Sequence, residues 1–156
     1  MAPDTTPQPV SGSVDVARTR RAELLAAITA LERALALPAR HPTWASRVGA
    51  EVSGLASAFD HHIAATEGTD GMYGEILRTA PRLQFAIDQL VREHEEARSA
   101  IAALGTLAAE AGDADRDAIE RIRIDGTDLL ARLVRHRQRG ADLVFEAYAQ
   151  DIGGCD

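Results

Sequence analysis

Along four long stretches of this chain, apolar residues recur at alternating intervals of three and four, and Pro-, Gly- and Asp-containing runs separate the stretches. Such spacing puts the apolar side chains on one stripe of a helix, and stripes of this kind are buried against other helices. The pattern predicts an all-α protein, an antiparallel up-down four-helix bundle. Composition points the same way. Ala, Leu, Arg and Glu dominate, aromatic residues make up only 4%, and β-branched residues never cluster. A chain of 156 residues fits one domain with a core of ordinary size.

The breaks set the organisation. Residues 1–13 open with a run rich in Pro, Thr and Ser, which predicts a disordered lead. The bundle is expected over 14–152 and a short tail over 153–156. Ser13 or Asp15 is placed to cap a first helix running to about Leu37. Pro38 and Pro42 bracket a turn, and a second helix is expected from there to about Glu67, where GTDG breaks it. A short helical piece, MYGEILRTA, leads to Pro81. The third helix is expected from about Pro81 to Ala111. After GDAD, where Asp113 or Asp115 can cap, the fourth runs to about Asp151, with Gly126 and Gly140 as weak points.

Charge and motif content exclude several functions. The net charge is −7, and arginines are spread along every helix instead of forming one stripe, so nucleic acid is not an expected partner. No basic-then-apolar leader and no apolar run of about 20 residues is visible, which predicts a cytoplasmic protein with no membrane partner. Cys155 is the only cysteine and reads as an exposed tail thiol. There is no G-x-S-x-G, P-loop, dinucleotide fingerprint or Cys-x-x-Cys, so an enzyme built on those chemistries is not expected.

The informative residues interrupt the apolar stripes. On the second helix the stripe is Trp44, Val48, Val52 (or Glu51), Leu55 and Phe59, and the next position is His62. On the third it is Leu83, Ile87 and Leu90, then His94, then Ala97, Ile101 and Leu104. On the fourth it is Ile119, Ile122, Gly126, Leu129 and Leu133, then His136, then Gly140, Leu143 and Ala147. The first helix carries Leu24, Ile28, Leu31 and Leu35, and one step back along it stands Arg21. Counting from the turns at about 1.5 Å per residue, all four positions fall roughly 24 to 33 Å from one end. They are expected to share a layer. A single histidine on an apolar face is usually just a core residue. Three of five histidines on seams that occupy about two positions in seven is a different matter.

In FDHHIAATEG, VREHEEARSAI and VRHRQRGADLVFEAYAQDIGG, together with the overall pattern over about 15 to 152, the chain resembles the hemerythrin-like (HHE cation-binding) family. The resemblance implies a four-helix bundle whose helices supply histidines and carboxylates to a non-haem, usually di-iron, centre. His62-x4-Glu67 resembles the family's histidine–carboxylate pair. The chain departs from the full pattern at Arg20 and Arg21, where a histidine is expected, and at Thr66, Arg98 and Gly140, which stand at ligand-like positions. It is short of ligands for a complete dinuclear site.

The expected metal ligands are therefore His62, Glu67, His94 and His136, a set suited to Fe, Mn or Zn. Asp142 and Glu146 are weaker candidates, and Asp60, Glu95 and Glu96 are candidates to orient an imidazole. His61 lies off the seam, and His41 sits in a turn beside Pro42. Three functions are in play. The first is a metal protein that carries or senses dioxygen, nitric oxide or peroxide. The second is a metal-free bundle that binds another protein or a second copy of itself. The third is an enzyme that uses the metal on an organic substrate.

Overall fold

The computed structural model describes residues 12–111 and 115–149. Most of the expected lead, Asp113, the 153–156 tail and Cys155 lie outside them. The described residues form helices α1 (Gly12–Ala36), α2 (Trp44–Glu67), α3 (Met72–Thr79), α4 (Gln84–Glu110) and α5 (Arg116–Ala149), and among them there is no strand. A single 3-10 turn, Pro81–Leu83, leads into α4. The all-α expectation therefore holds. Among the described residues no helix is long and apolar enough to cross a membrane.

Four long helices close a ring: α1 packs on α2, α2 on α4, α4 on α5, and α5 back on α1. The stripes read from the sequence face inward. Leu24, Leu31, Val48, Leu55, Ile122 and Leu133 are fully buried, and Val52, not Glu51, is the core residue of its turn. Each such aliphatic side chain contributes on the order of 1.5–3 kcal/mol when taken out of water. Asp115 caps α5 as anticipated, its Oδ1 accepting the Ala118 N–H at 3.1 Å. Gly12 and Ser13, expected in the lead, are already helical, so Ser13 is not the cap of α1.

The glycines of α5 do not behave as weak points. The helix runs unbroken through Gly126 and Gly140. Gly126 is buried, and a Cβ there would stand 2.7 Å from Leu35 Cδ1, so its bareness lets α1 and α5 approach. In the break after α2, a Cβ on Gly71 would meet backbone atoms of Thr66 and Gly68 at 2.6–2.9 Å. That close turn lays α3 against α1 and α2. A hydrogen bond between Ser13 and Glu75 ties α3 to the start of α1.

The apolar interior is divided in two. One cluster gathers Leu24 to Leu35, Trp44 to Ile63, Ala97 to Ala108, and Ile122 to Leu133. The other gathers Val14, Ala17, Met72, Tyr73, Ile76, Leu83, Ile87, Leu90, Leu143 and Ala147. On α1, α4 and α5 the change from one to the other falls at Arg21, His94 and His136. On α2 it falls at the end of the larger cluster, where His62 stands.

Candidate metal centre

His62, His94 and His136 are all buried, with His94 fully so, and they come from three different helices at one level. The Nε2 atoms of His62 and His136 are 3.2 Å apart, and those of His94 and His136 are 3.1 Å apart. One ring nitrogen from each lies within 4.8 Å of the others. The three histidines therefore share the layer expected from residue counting. Phe59 floors it, with its ring centroid 5.7–6.1 Å from those of the three histidines. Tyr73 of α3 stacks on His94 from the other side at 6.0 Å.

The outward nitrogens tell the rings apart. His136 Nδ1 bonds Glu93 Oε2 at 2.8 Å, and Glu93 is itself paired with Arg139. His94 Nδ1 lies 3.1 Å from Glu67 Oε2, without the alignment of a hydrogen bond. His62 Nδ1 is buried and has no hydrogen-bond partner among the described residues.

A carboxylate at Nδ1 favours the proton there, which leaves a lone pair on Nε2. In the metal-free protein the lone pair of His136 Nε2 can accept from an Nε2–H of His94 or His62, at 3.1 and 3.2 Å, and a cation among the rings would take that proton's place. Protonating the rings instead is costly. Burial pushes the His62 imidazole down to about 3 and the His94 imidazole down to about 2, and in each case neighbouring histidines push the same way. His136 is also lowered by burial, against an upward pull from Glu93.

The donor set fits a metal ion. Two nitrogens held at about 2.0–2.1 Å from one ion sit about 2.9–3.4 Å apart for bond angles between octahedral and tetrahedral. The two Nε2 separations to His136 lie inside that interval, and the three rings' ligand nitrogens all lie within 4.8 Å of one another. Carboxylates on the far nitrogens of metal-bound histidines fix the ring and its tautomer.

The remaining candidates sort clearly. Glu67, expected among the ligands, is placed at the outward nitrogen of His94 instead of beside the converging Nε2 atoms. Thr66 is buried, and its hydroxyl donates back to His62 O at 2.9 Å. Arg98 turns away from the centre to pair with Asp60 at 3.0 Å. Glu95 and Glu96 are exposed, and Asp142 is exposed with Gln138 as its partner. His61 is exposed, and His41 is an exposed turn residue bonded to Thr43.

Sequence reasoning missed Glu93, Tyr73 and Arg137. Glu93 directly precedes His94, so it lies on the flank of the seam where it can reach the neighbouring helix. That adjacency is the one signal that pointed to it. Burial pushes the Tyr73 phenol up, so Tyr73 stays neutral beside His94, with Thr66 as its hydrogen-bonding neighbour.

Compared with protein-family models, curated proteins and solved structures, the chain matches none.

Proposed function

We propose that this chain is a hemerythrin-like metal protein, an up-down bundle that holds a non-haem transition metal through His62, His94 and His136. In this reading it carries or senses a small ligand such as dioxygen, nitric oxide or peroxide, in the cytoplasm. The observation that carries the proposal is the convergence of three Nε2 atoms while carboxylates stand at the outward nitrogens of two of the rings. Fe, Mn and Zn all accept imidazole ligands. Three protein ligands leave coordination positions open, and the metal would supply Lewis acidity or redox chemistry there.

The chain's own residues do the positioning. Glu93 and Glu67 orient His136 and His94, and Phe59 and Tyr73 exclude water from the layer. Gly49, Ala56, Ala102 and Gly105 leave a mostly apolar groove of about 430 Å³ between α2 and α4, whose lining also includes Phe59 and the Asp60–Arg98 ion pair. A groove of that character suits a small uncharged ligand.

Metal analysis of protein purified without a tag tests the reading. At least half an equivalent of Fe, Mn or Zn is expected, falling sharply in His94→Ala. Less than a tenth of an equivalent, unchanged by that substitution, would remove the metal from the proposal.

A metal-free bundle working through protein contacts is the second reading, and Arg21 favours it. Arg21 sits in the histidine layer and has no ion-pair partner among the described residues, and an uncompensated guanidinium there opposes a cation. A chelator separates the two readings. It should lower the melting temperature of a metal-bound fold and leave that of a metal-free one unchanged.

A further inference from the structure

Two of the three central histidines have a carboxylate at the outward nitrogen, Glu93 at His136 and Glu67 at His94. The third does not. His62 is 4% exposed, and its Nδ1 is buried with no hydrogen-bond partner. A buried polar nitrogen left unpaired costs on the order of 1–3 kcal/mol, so a hydrogen-bonding partner at Nδ1 is favoured.

The arginines show what kind. The chain has 17, with no lysine, and all but Arg20, Arg21, Arg123 and Arg137 are exposed. Arg20 pairs with Glu23 at 2.8 Å. Arg123 donates to Leu37 O at 3.1 Å and lies over the Trp44 ring. Arg21 and Arg137 have no ion-pair partner among the described residues, and the Nε of Arg137 is itself buried and unpartnered.

Both of these arginines belong to the His62 corner. Arg21 stands where the core of α1 passes from Ala17 in one apolar cluster to Leu24 in the other, which is the level of the histidines. Arg137 directly follows His136 on α5, and α5 packs against α1. The positive charges of Arg21 and Arg137 both act on His62 and on each other. Two half-buried cations with no ion-pair partner among the described residues, beside an imidazole nitrogen without a hydrogen-bond partner, make a place for an anion with several acceptor oxygens.

We propose that Arg21, Arg137 and His62 Nδ1 bind a small oxyanion, a carboxylate or an inorganic anion of similar size, at the fourth corner of the histidine layer. The guanidiniums hold the anion by charge-assisted hydrogen bonds. It accepts the Nδ1 proton of His62 and thereby does for this ring what Glu67 and Glu93 do for the other two. His62 Nε2 is then left with its lone pair facing inward. The proposal rests on the unpaired groups of this corner and not on a bound metal, so the metal-free protein can test it.

Titration of chelator-treated, full-length protein tests this, with sodium formate and inorganic phosphate as probes at ionic strength matched with chloride. A saturable heat of binding and a saturable rise in melting temperature are expected for at least one probe. Which probe binds distinguishes a carboxylate site from a phosphate-sized one. Arg21→Met and Arg137→Met should each weaken binding at least about tenfold, the factor set by losing one charge-assisted hydrogen bond. Arg20→Met, at an arginine that already has a partner, should leave it unchanged.

Nitrogen NMR of the wild-type histidines supplies a readout that does not depend on any variant folding. On adding the probe, the His62 Nδ1 resonance should move to the position of a protonated nitrogen. No saturable response to either probe, or undiminished binding in the Arg21→Met/Arg137→Met double variant, would overturn the proposal. Because the protein is metal-free in these titrations, their failure leaves the metal analysis of the three Nε2 atoms untouched.

Discussion

Glu93 Oε2 takes the Nδ1 proton of His136 at 2.8 Å, so a carboxylate on α4 decides which nitrogen of a ring on α5 looks into the core. The side chain of Glu93 is 17% exposed and is held from its other oxygen by Arg139. Glu93→Gln keeps the shape but removes the charge. Metal affinity is expected to fall about 10- to 100-fold, the usual cost of losing such a ring-orienting carboxylate, with helix content unchanged. A competition titration against a chromophoric chelator reads this directly, and unchanged affinity would show that Glu93 does not set the ring.

Acid should unfold the metal-free protein through the same rings. The folded-state values of His62 and His94, about 3 and about 2, lie below the ordinary imidazole value near 6.5. Between those limits the unfolded chain binds protons that the folded one does not. Stability is therefore complete above about pH 6.5 and is lost as the pH falls. Each histidine contributes a slope of up to about 1.4 kcal/mol per pH unit. Urea unfolding of chelator-treated protein at pH 7, 6, 5 and 4.5 measures it, and His62→Gln should flatten the curve. A stability that does not change across this range would contradict the burial of neutral imidazoles.

Phe59 lies beneath all three rings at 1% exposure. Truncating it to Ala opens a cavity in the floor of the layer and should cost about 3–5 kcal/mol. Phe59→Leu keeps more of the volume and should cost less. Denaturant midpoints of the two variants, compared with wild type at constant slope, check the order and the size.

Gly71→Ala should destabilise by about 1–3 kcal/mol, because the new Cβ meets backbone at 2.6–2.9 Å and backbone cannot swing aside as a side-chain end can. This turn also places Glu67 and Tyr73 around His94, so metal affinity should fall with stability. Gly74→Ala, where a Cβ meets nothing within 4 Å, is the matched control and should be neutral or stabilising. Equal melting temperatures for the two variants would refute the packing argument at the turn.

Period and spacing carried much of this fold. The run from Trp44 through Val48, Val52, Leu55 and Phe59 to His62 could be read residue by residue, because a helix stripe is a local property and burial follows it. The level of His94 against His136 could be read as well, since helix rise is constant. Glu93, Tyr73 and Arg137 could not. Each sits on the flank of a seam or on the short helix α3, and its contact depends on how far one helix is rotated against the next. Asp60, Glu95 and Glu96 are orienting candidates by spacing that solvated helix faces explain more cheaply, and they do face water. Gly126 was misjudged for a related reason. Propensity sees a missing side chain in a helix, whereas the Leu35 side chain on α1 uses the space it leaves.

The partition of the interior has a mechanical consequence. Arg21, His62, His94 and His136 form a polar waist between two oily compartments, and side chains of the compartments do not interlock across it as they do within each. Helices α1, α4 and α5 run unbroken through the waist, so only the apolar side-chain packing is interrupted there. Anything that bridges the waist, a cation among the rings or an anion between the guanidiniums, rivets the two compartments together, so occupancy there would be felt as stiffness at the distant helix ends.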